Sequence, residues 1–91
     1  MKSILQRDKI CYLCGATQAL EEHHIFGGAL RKKSEKFGLK VYLCHMCHNE
    51  PPNGVHHNAA VMEKLKQNGQ MAFEKQYGHD RYIREFYKNY V

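Results

Sequence analysis

The residues with the clearest chemistry are four cysteines in two Cys-x-x-Cys pairs, Cys11 with Cys14 and Cys44 with Cys47. Residues 15 to 43 separate the pairs, a spacing of 29 residues. Each pair can place two thiolates on one cation through a tight turn, and two such turns complete a closed four-sulfur zinc site. Gly15 follows the first pair, where such a turn often needs a positive φ. A redox pair or unligated core cysteines are the alternatives, and the repeated motif favours structural zinc.

Seven histidines form a second group of reactive side chains, and six of them fall in three clusters: His23 and His24, His45 and His48, and His56 and His57, with His79 apart. A zinc site made by residues 11–14 and 44–47 would bring together the segments that follow each pair. We therefore expect His23, His24 and His48 to share one region. Neutral imidazoles that converge there could bind a second divalent cation.

Adjacent histidines have a specific use in phosphodiester hydrolysis. One imidazole can hold a cation that polarises the phosphate, while the other takes a proton from the attacking water. Neighbouring side chains of a regular strand point to opposite faces, so both can act only where the strand ends. The Gly27-Gly28 turn shortly after His23-His24 favours such an end.

Length and composition indicate one small basic domain. The chain has 91 residues, 14 Lys and Arg against nine Asp and Glu, and 43% hydrophobic residues, which excludes a disordered tail. A core of this size gains from a metal site. No apolar run approaches the ~20 residues that cross a bilayer, so we expect no membrane partner. The N-terminus has no apolar stretch typical of a secretory signal, and we expect a cytoplasmic protein.

A run of cations follows the histidine pair. Five basic residues lie between positions 31 and 40, with Glu35 as their acidic neighbour. Such a run would attract a polyanion, with affinity that falls steeply as salt rises. Nothing in the sequence indicates a base-reading helix, so the expected partner is the DNA phosphate backbone, read with weak sequence preference. The predicted nucleic-acid contacts are Arg31, Lys32, Lys33 and Lys36.

The pattern of the chain predicts a small α+β fold in a single domain, residues 1–91. We expect strands over 19–26 and 39–43, a basic loop with one helical turn over 29–38, and a lead-in over 1–10 with at most a frayed helical turn. Residues 48–55 contain both prolines and Asn53-Gly54, which predict a rigid turn. A helix is expected from the Asn58 cap to Gly78, weakened at Gly69, followed by a short helix capped by Asp80. The zinc-stapled core would span about 11–68 and a helical extension about 69–91.

The cysteine pairs and the histidines that follow them resemble the motif of a known family. The first Cys-x-x-Cys, then Glu22–Ile25 (EHHI), then Leu43–His48 (LCHMCH) is similar to the HNH endonucleases, in particular small phage-type members with a four-cysteine zinc site. The resemblance covers about residues 11 to 57. It implies a ββα-metal fold with a zinc-ribbon-like site, cleavage of DNA to 5′-phosphate and 3′-hydroxyl ends, and the cytoplasm of a bacterial or phage-infected cell. It assigns His23 and His48 to a catalytic divalent cation (Mg²⁺, Mn²⁺ or another) and His24 to the general base.

Two positions depart from the family pattern. The family places an Asn nine residues before the last histidine, where this chain has Leu39. That Asn holds the ββα loop and orients the base, so another residue compensates or the enzyme is weakened. A further histidine often follows one helical turn after the last one, where this chain has Pro52. Either His56 or His57 could supply that ligand, and we prefer His56 because it lies directly after the Gly54 turn. The main alternative is a non-catalytic zinc-ribbon module that binds nucleic acid or a protein; a regulatory metal sensor is a weaker one.

Overall fold

The computed structural model describes residues 2–51 and 54–91. Its elements in chain order are β1 (Leu20–His24), a 3₁₀ turn (Gly28–Leu30), α1 (Arg31–Phe37), β2 (Lys40–Cys44), α2 (His45–His48), a second 3₁₀ turn (Val55–His57), α3 (Ala59–Tyr77) and α4 (His79–Phe86). The prediction of a small α+β protein is confirmed. The predicted rigid turn lies partly outside the described residues, since it includes Pro52 and Asn53.

The two strands form one antiparallel pair. Leu20 lies opposite Cys44 and His24 lies opposite Lys40. Both strands were predicted, and β1 ends at His24, before the glycine turn. Because Cys44 is the last residue of β2, the sheet leads directly into the second cysteine pair.

The N-terminal segment is a non-helical lead-in over residues 2–10, without the frayed turn that the prediction allowed there. It lies instead along the outer edge of β2. Ile4 N–H donates to the Gly38 carbonyl at 2.9 Å, and Tyr42 N–H donates to Gln6 Oε1 at 2.9 Å. Gly38 has φ +70°, and a Cβ there would lie 2.3 Å from the Lys2 carbonyl oxygen, so only glycine permits this close approach. The segment therefore satisfies backbone groups that a free strand edge would leave unpaired.

The basic segment after the glycine turn is a helix rather than the loop expected over 29–38. Its buried residues are Ser34 and Phe37, which face the core. Ser34 Oγ accepts from Phe26 N–H at 3.0 Å and donates to the Phe26 carbonyl at 2.8 Å. Burial of this one face orders the segment, and the sequence pattern shows it poorly because the remaining positions are charged.

The C-terminal helices agree with the prediction at the N-terminal cap of α3 and differ from it at Gly69 and Asp80. Asn58 Oδ1 caps α3 by accepting from Val61 N–H at 3.2 Å, as predicted. Gly69 does not interrupt α3, and it is a contact point with Ile25, since a Cβ there would lie 2.9 Å from Ile25 Cγ2. Asp80 lies in the first turn of α4 and is not its N-cap, which is Gly78.

Aromatic side chains join the helices to the sheet in one core. Phe26, just after β1, has its ring centroid 4.7 Å from that of Phe86 in α4. Phe37 of α1 and Phe73 of α3 meet edge to face at 5.1 Å. The helical extension thus packs against the turn that follows the histidine pair. Within the described residues, no helix is long and apolar enough to cross a membrane.

Candidate functional site

The four cysteines converge on one point. Their four Sγ atoms all lie within 4.8 Å of one another, and Cys14 Sγ is 3.7 Å from Cys44 Sγ. Zn–S bonds of ~2.3 Å in a tetrahedron separate sulfurs by about 3.8 Å. The cluster of Cys11, Cys14, Cys44 and Cys47 could therefore hold a metal such as zinc, as the spacing predicted.

Local backbone structure forms the first of the two turns. Cys11 N–H donates to the Ala16 carbonyl at 2.8 Å, and Gly15 N–H donates to the Cys11 carbonyl at 2.9 Å. Gly15 has φ +81°, the positive value expected after the pair. Tyr12 N–H donates to the Tyr42 carbonyl at 2.8 Å, which ties this turn to β2.

The pKa values of the clustered thiols of Cys11 and Cys47 are shifted in opposite directions. Burial opposes ionisation of Cys11, but hydrogen bonds from the backbone N–H groups of Cys44, Cys14 and Leu13 lower its pKa to about 6. Burial and the neighbouring thiols raise the pKa of Cys47 above its ordinary value. A divalent cation would remove this conflict, because metal binding displaces the thiol protons.

A second convergence joins His23, His48 and His56. His23 Nδ1 lies 3.3 Å from His48 Nε2, and His56 Nε2 lies 2.9 Å from the same atom. Zn–N bonds of 2.0–2.1 Å in a tetrahedron separate nitrogens by about 3.3 Å. Among the described residues, His57 is in no potential metal-binding group and is exposed. Of the two histidines after the turn, His56 is therefore the one that lies with the others.

Hydrogen bonding alone does not satisfy these three rings. His48 Nδ1 lies 2.8 Å from Glu21 Oε1 and must donate to it, since a carboxylate only accepts. The neutral ring then has a single lone pair at Nε2, which both His23 and His56 approach. His23 is 3% exposed, and within the described part of the chain its Nε2 has no hydrogen-bond partner. A cation between His23 Nδ1, His48 Nε2 and His56 Nε2 would let each ring offer its own lone pair instead of competing for that of His48. It would not supply a partner for His23 Nε2.

Glu21 is a neighbour of this cluster that the sequence-based prediction did not include. It lies two residues before His23 in β1, on the same face, and it also accepts from Asn49 Nδ2 at 2.9 Å. Hydrogen bonds to His48 and His45 lower the pKa of Glu21, so it is ionised at neutral pH. A carboxylate in this position fixes the tautomer and orientation of a ligand imidazole. The sequence signal that could have revealed Glu21 is its position two residues before His23, which places both on one face of a strand.

Burial and the neighbouring imidazoles keep the ring of His23 neutral. Burial, followed by the positive charge that His48 and His56 can carry, lowers the pKa of His23 to about 4. Burial and neighbouring imidazoles also lower the pKa of His56. Both rings are therefore unprotonated at neutral pH, which is the form that binds metals.

His24 does not join this cluster, because it points to the other face of the strand end. Its Nε2 lies 2.9 Å from Glu35 Oε1 of α1, and its side chain is 10% exposed. Lys40 Nζ contacts the same carboxylate at 2.9 Å. Hydrogen bonds from His24 and Lys40 hold the pKa of Glu35 well below its usual range. An ionised Glu35 must accept a hydrogen bond from the Nε2–H of His24, which leaves the lone pair on Nδ1 of the neutral ring.

Leu39, at the position of the family's Asn, is a fully buried core residue. The loop between the strands is held by other groups. Ile25 N–H donates to the Leu39 carbonyl and Leu39 N–H donates to the Ser34 carbonyl, at 2.9 and 2.8 Å. The Ser34 hydroxyl holds both backbone groups of Phe26. Ser34 therefore holds this loop through its hydroxyl, and the sequence-based prediction did not include it.

The four predicted nucleic-acid contacts differ in availability. Arg31, Lys32 and Lys36 are exposed on α1. Lys33 donates to the Glu85 carbonyl at 2.9 Å and to the Tyr87 hydroxyl at 3.2 Å, so it is committed to the end of α4.

Comparisons of the chain with models of protein families, with curated proteins and with solved structures each found no match.

Proposed function

We propose that the protein is a metal-dependent endonuclease of the HNH type that hydrolyses DNA phosphodiester bonds. The observation that carries the proposal is the convergence of His23, His48 and His56 at the strand end where His24 has a free ring nitrogen. The two chemical parts of the proposal, a cation site and a general base, come from neighbouring residues on the two faces of β1. The proposal requires that one phosphate reach both faces of the strand where it ends at His24.

His23, His48 and His56 would hold the catalytic cation, with Glu21 orienting His48. When bound, a divalent cation polarises the phosphate and stabilises the charge that develops on the leaving oxygen. Three imidazoles suit Zn²⁺ or Ni²⁺ better than Mg²⁺ or Mn²⁺, which prefer oxygen ligands. Three protein ligands also leave coordination positions for substrate, whereas the four-cysteine site is closed and structural.

His24 would act as the general base through Nδ1. Glu35 accepts from Nε2 and so fixes the ring in the tautomer that can take a proton from water. It also stabilises the imidazolium that forms after proton transfer, as a carboxylate does behind a catalytic histidine elsewhere. In this proposal Glu35 and Ser34 together replace the absent Asn, one by orienting the base and the other by holding the loop.

A plasmid-cleavage assay with a panel of divalent cations tests the proposal. We expect cleavage by the wild-type protein and a loss of about 10²-fold or more in His24→Ala, the usual contribution of general base catalysis. His56→Ala should lose activity, and His57→Ala is its matched control because the adjacent ring is exposed and outside the cluster. Metal analysis should find one tightly held zinc and a second, exchangeable ion that His48→Ala no longer retains.

The opposite results would favour the non-catalytic zinc-ribbon module. These are equal cleavage by the wild-type and His24→Ala proteins, which indicates a contaminating nuclease, or no cleavage with any cation. Equal loss of metal in His56→Ala and His57→Ala would show that the three rings do not form a specific site.

A further inference from the structure

A cleft of about 640 Å³ lies between the N-terminal segment and the outer edge of β2. Its lining includes Lys2, Arg7 and Lys9 from the segment and Lys40 and Tyr42 from the strand. Hydrogen bonds fix both walls to each other, since Gln6 Oε1 accepts from the Tyr42 backbone and Ser3 Oγ donates to the Lys40 carbonyl. The cleft is therefore a built feature of the fold, although the sequence indicated only a lead-in there.

The charge of this cleft is strongly positive. Lys2, Arg7 and Lys9 are exposed, and no carboxylate in the described residues forms an ion pair with any of them. The one carboxylate in the lining is Glu22, whose Oε2 lies 3.5 Å from Lys40 Nζ. Residues 2–9 carry these three cations against one carboxylate, Asp8, which is not in the lining, and the excess of positive charge attracts a polyanion.

The cleft leads to the histidine that we propose as the base. Glu22, on its wall, has a carboxylate oxygen within 4.8 Å of a His24 nitrogen and a Glu35 oxygen. Lys40, also on the wall, contacts Glu35 at 2.9 Å. Glu22 directly, and Lys40 through Glu35, thus link the cleft to His24 by contacts.

The aromatic side chain in the cleft does not offer an open stacking surface. Lys9 Nζ lies 5.6 Å from the centre of the Tyr42 ring, and the ring is half-buried. The cleft thus presents cations rather than an aromatic platform for bases. Its chemistry fits the sugar-phosphate backbone, which carries regular negative charge and no sequence information.

We propose that this cleft, here called the N-terminal cleft, binds backbone phosphates of the DNA strand on one side of the scissile bond. The inference rests on the proposed nuclease function for the identity of the polyanion, but its binding step needs no catalytic cation. In this proposal the main electrostatic contact with DNA is made by Lys2, Arg7 and Lys9 rather than by the cations of α1. Lys33 cannot contribute there, because α4 engages it.

DNA binding by the full-length protein tests the inference. We would measure the affinity for a fluorescent duplex by anisotropy over a range of NaCl, with no added divalent cation and no chelator, so that the zinc stays bound. Each lost phosphate contact lowers the slope of log K against log salt by ~0.9. The triple variant Lys2→Gln, Arg7→Gln, Lys9→Gln should lower the slope by about 2 to 3 and weaken binding about tenfold or more at 100 mM salt.

The matched control removes the same charges from α3 and α4, in the triple variant Lys64→Gln, Lys75→Gln, Arg84→Gln. These residues are exposed and outside the cleft lining. The control should keep most of the wild-type slope. Equal slopes in the two triple variants would overturn the inference, because the effect would then be net charge alone.

The result is separable from the outcome for the nuclease proposal. A protein that binds DNA through the N-terminal cleft but cleaves nothing with any cation would refute the nuclease and keep the cleft. A protein that cleaves DNA while the cleft variant behaves like the control would refute the cleft alone. Thermal unfolding midpoints equal to wild type in both triple variants would show that the differences come from binding.

Discussion

The hydroxyl of Ser34 provides the sharpest test of how this fold holds its strand end. The residue is fully buried, and its Oγ both accepts from Phe26 N–H and donates to the Phe26 carbonyl. Ser34→Ala would leave two buried backbone groups unpaired, at about 1–3 kcal/mol each. The expected loss of unfolding free energy is therefore about 2 to 6 kcal/mol, a large part of the 5–15 kcal/mol typical of a domain.

Urea unfolding followed by circular dichroism, at a fixed saturating zinc concentration, would measure this loss. Ser3→Ala is the matched control. Ser3 Oγ also donates to one backbone carbonyl, of Lys40, and accepts from one N–H, of Leu5 at 3.1 Å, but it is only partly buried. Water can replace those partners, so we expect a loss of no more than about 1.5 kcal/mol. The melting temperature of Ser34→Ala should fall by at least about 8 °C.

Equal losses in the two serine variants would refute the reasoning, because burial would then have no effect on the value of the hydrogen bonds. A fully stable Ser34→Ala protein with reduced DNA cleavage would place the role of Ser34 in the site alone. If the protein does not fold in the cell, Ser34→Thr keeps the hydroxyl, and recovery of folded protein would still identify the hydrogen bonds as the cause.

Three further predictions follow from the described contacts. Cys11→Ser should lower the bound zinc and the melting temperature together, measured by metal analysis and circular dichroism, because the metal supplies folding free energy; an unchanged zinc content would contradict the four-sulfur site. Glu35→Gln should lower kcat for DNA cleavage with little change in KM, and Glu35→Asp should recover part of it; an unchanged kcat would exclude Glu35 as a positioning residue for His24. Gly69→Ala should destabilise the protein by up to about 2 kcal/mol in urea unfolding, since overpacking against Ile25 of about 1–3 kcal/mol exceeds the helix-propensity gain of about 1 kcal/mol; greater stability would mean that Ile25 moves aside easily.

Local patterns in the sequence predicted the elements that depend on local physics. The Asn58 cap, the end of β1 near the glycine turn and the positive φ of Gly15 all follow from side-chain chemistry within a few residues. The helix over α1 was missed because its apolar face has few residues and is completed by tertiary burial of Ser34. The effect of Gly69 was misjudged for a related reason: its intrinsic helix propensity is poor, but the absence of a side chain allows contact with Ile25.

By itself, the sequence determined which side chains were available for chemistry and which segments a four-sulfur metal site would bring together. Cysteine spacing reveals such a site because a tetrahedral cation demands fixed ligand geometry. The tertiary structure decided which partners those side chains have. It selected His56 over His57, placed Glu21 behind His48 and Glu35 behind His24, and formed the N-terminal cleft along β2. These contacts join residues far apart in the chain, so they depend on packing that no local pattern encodes.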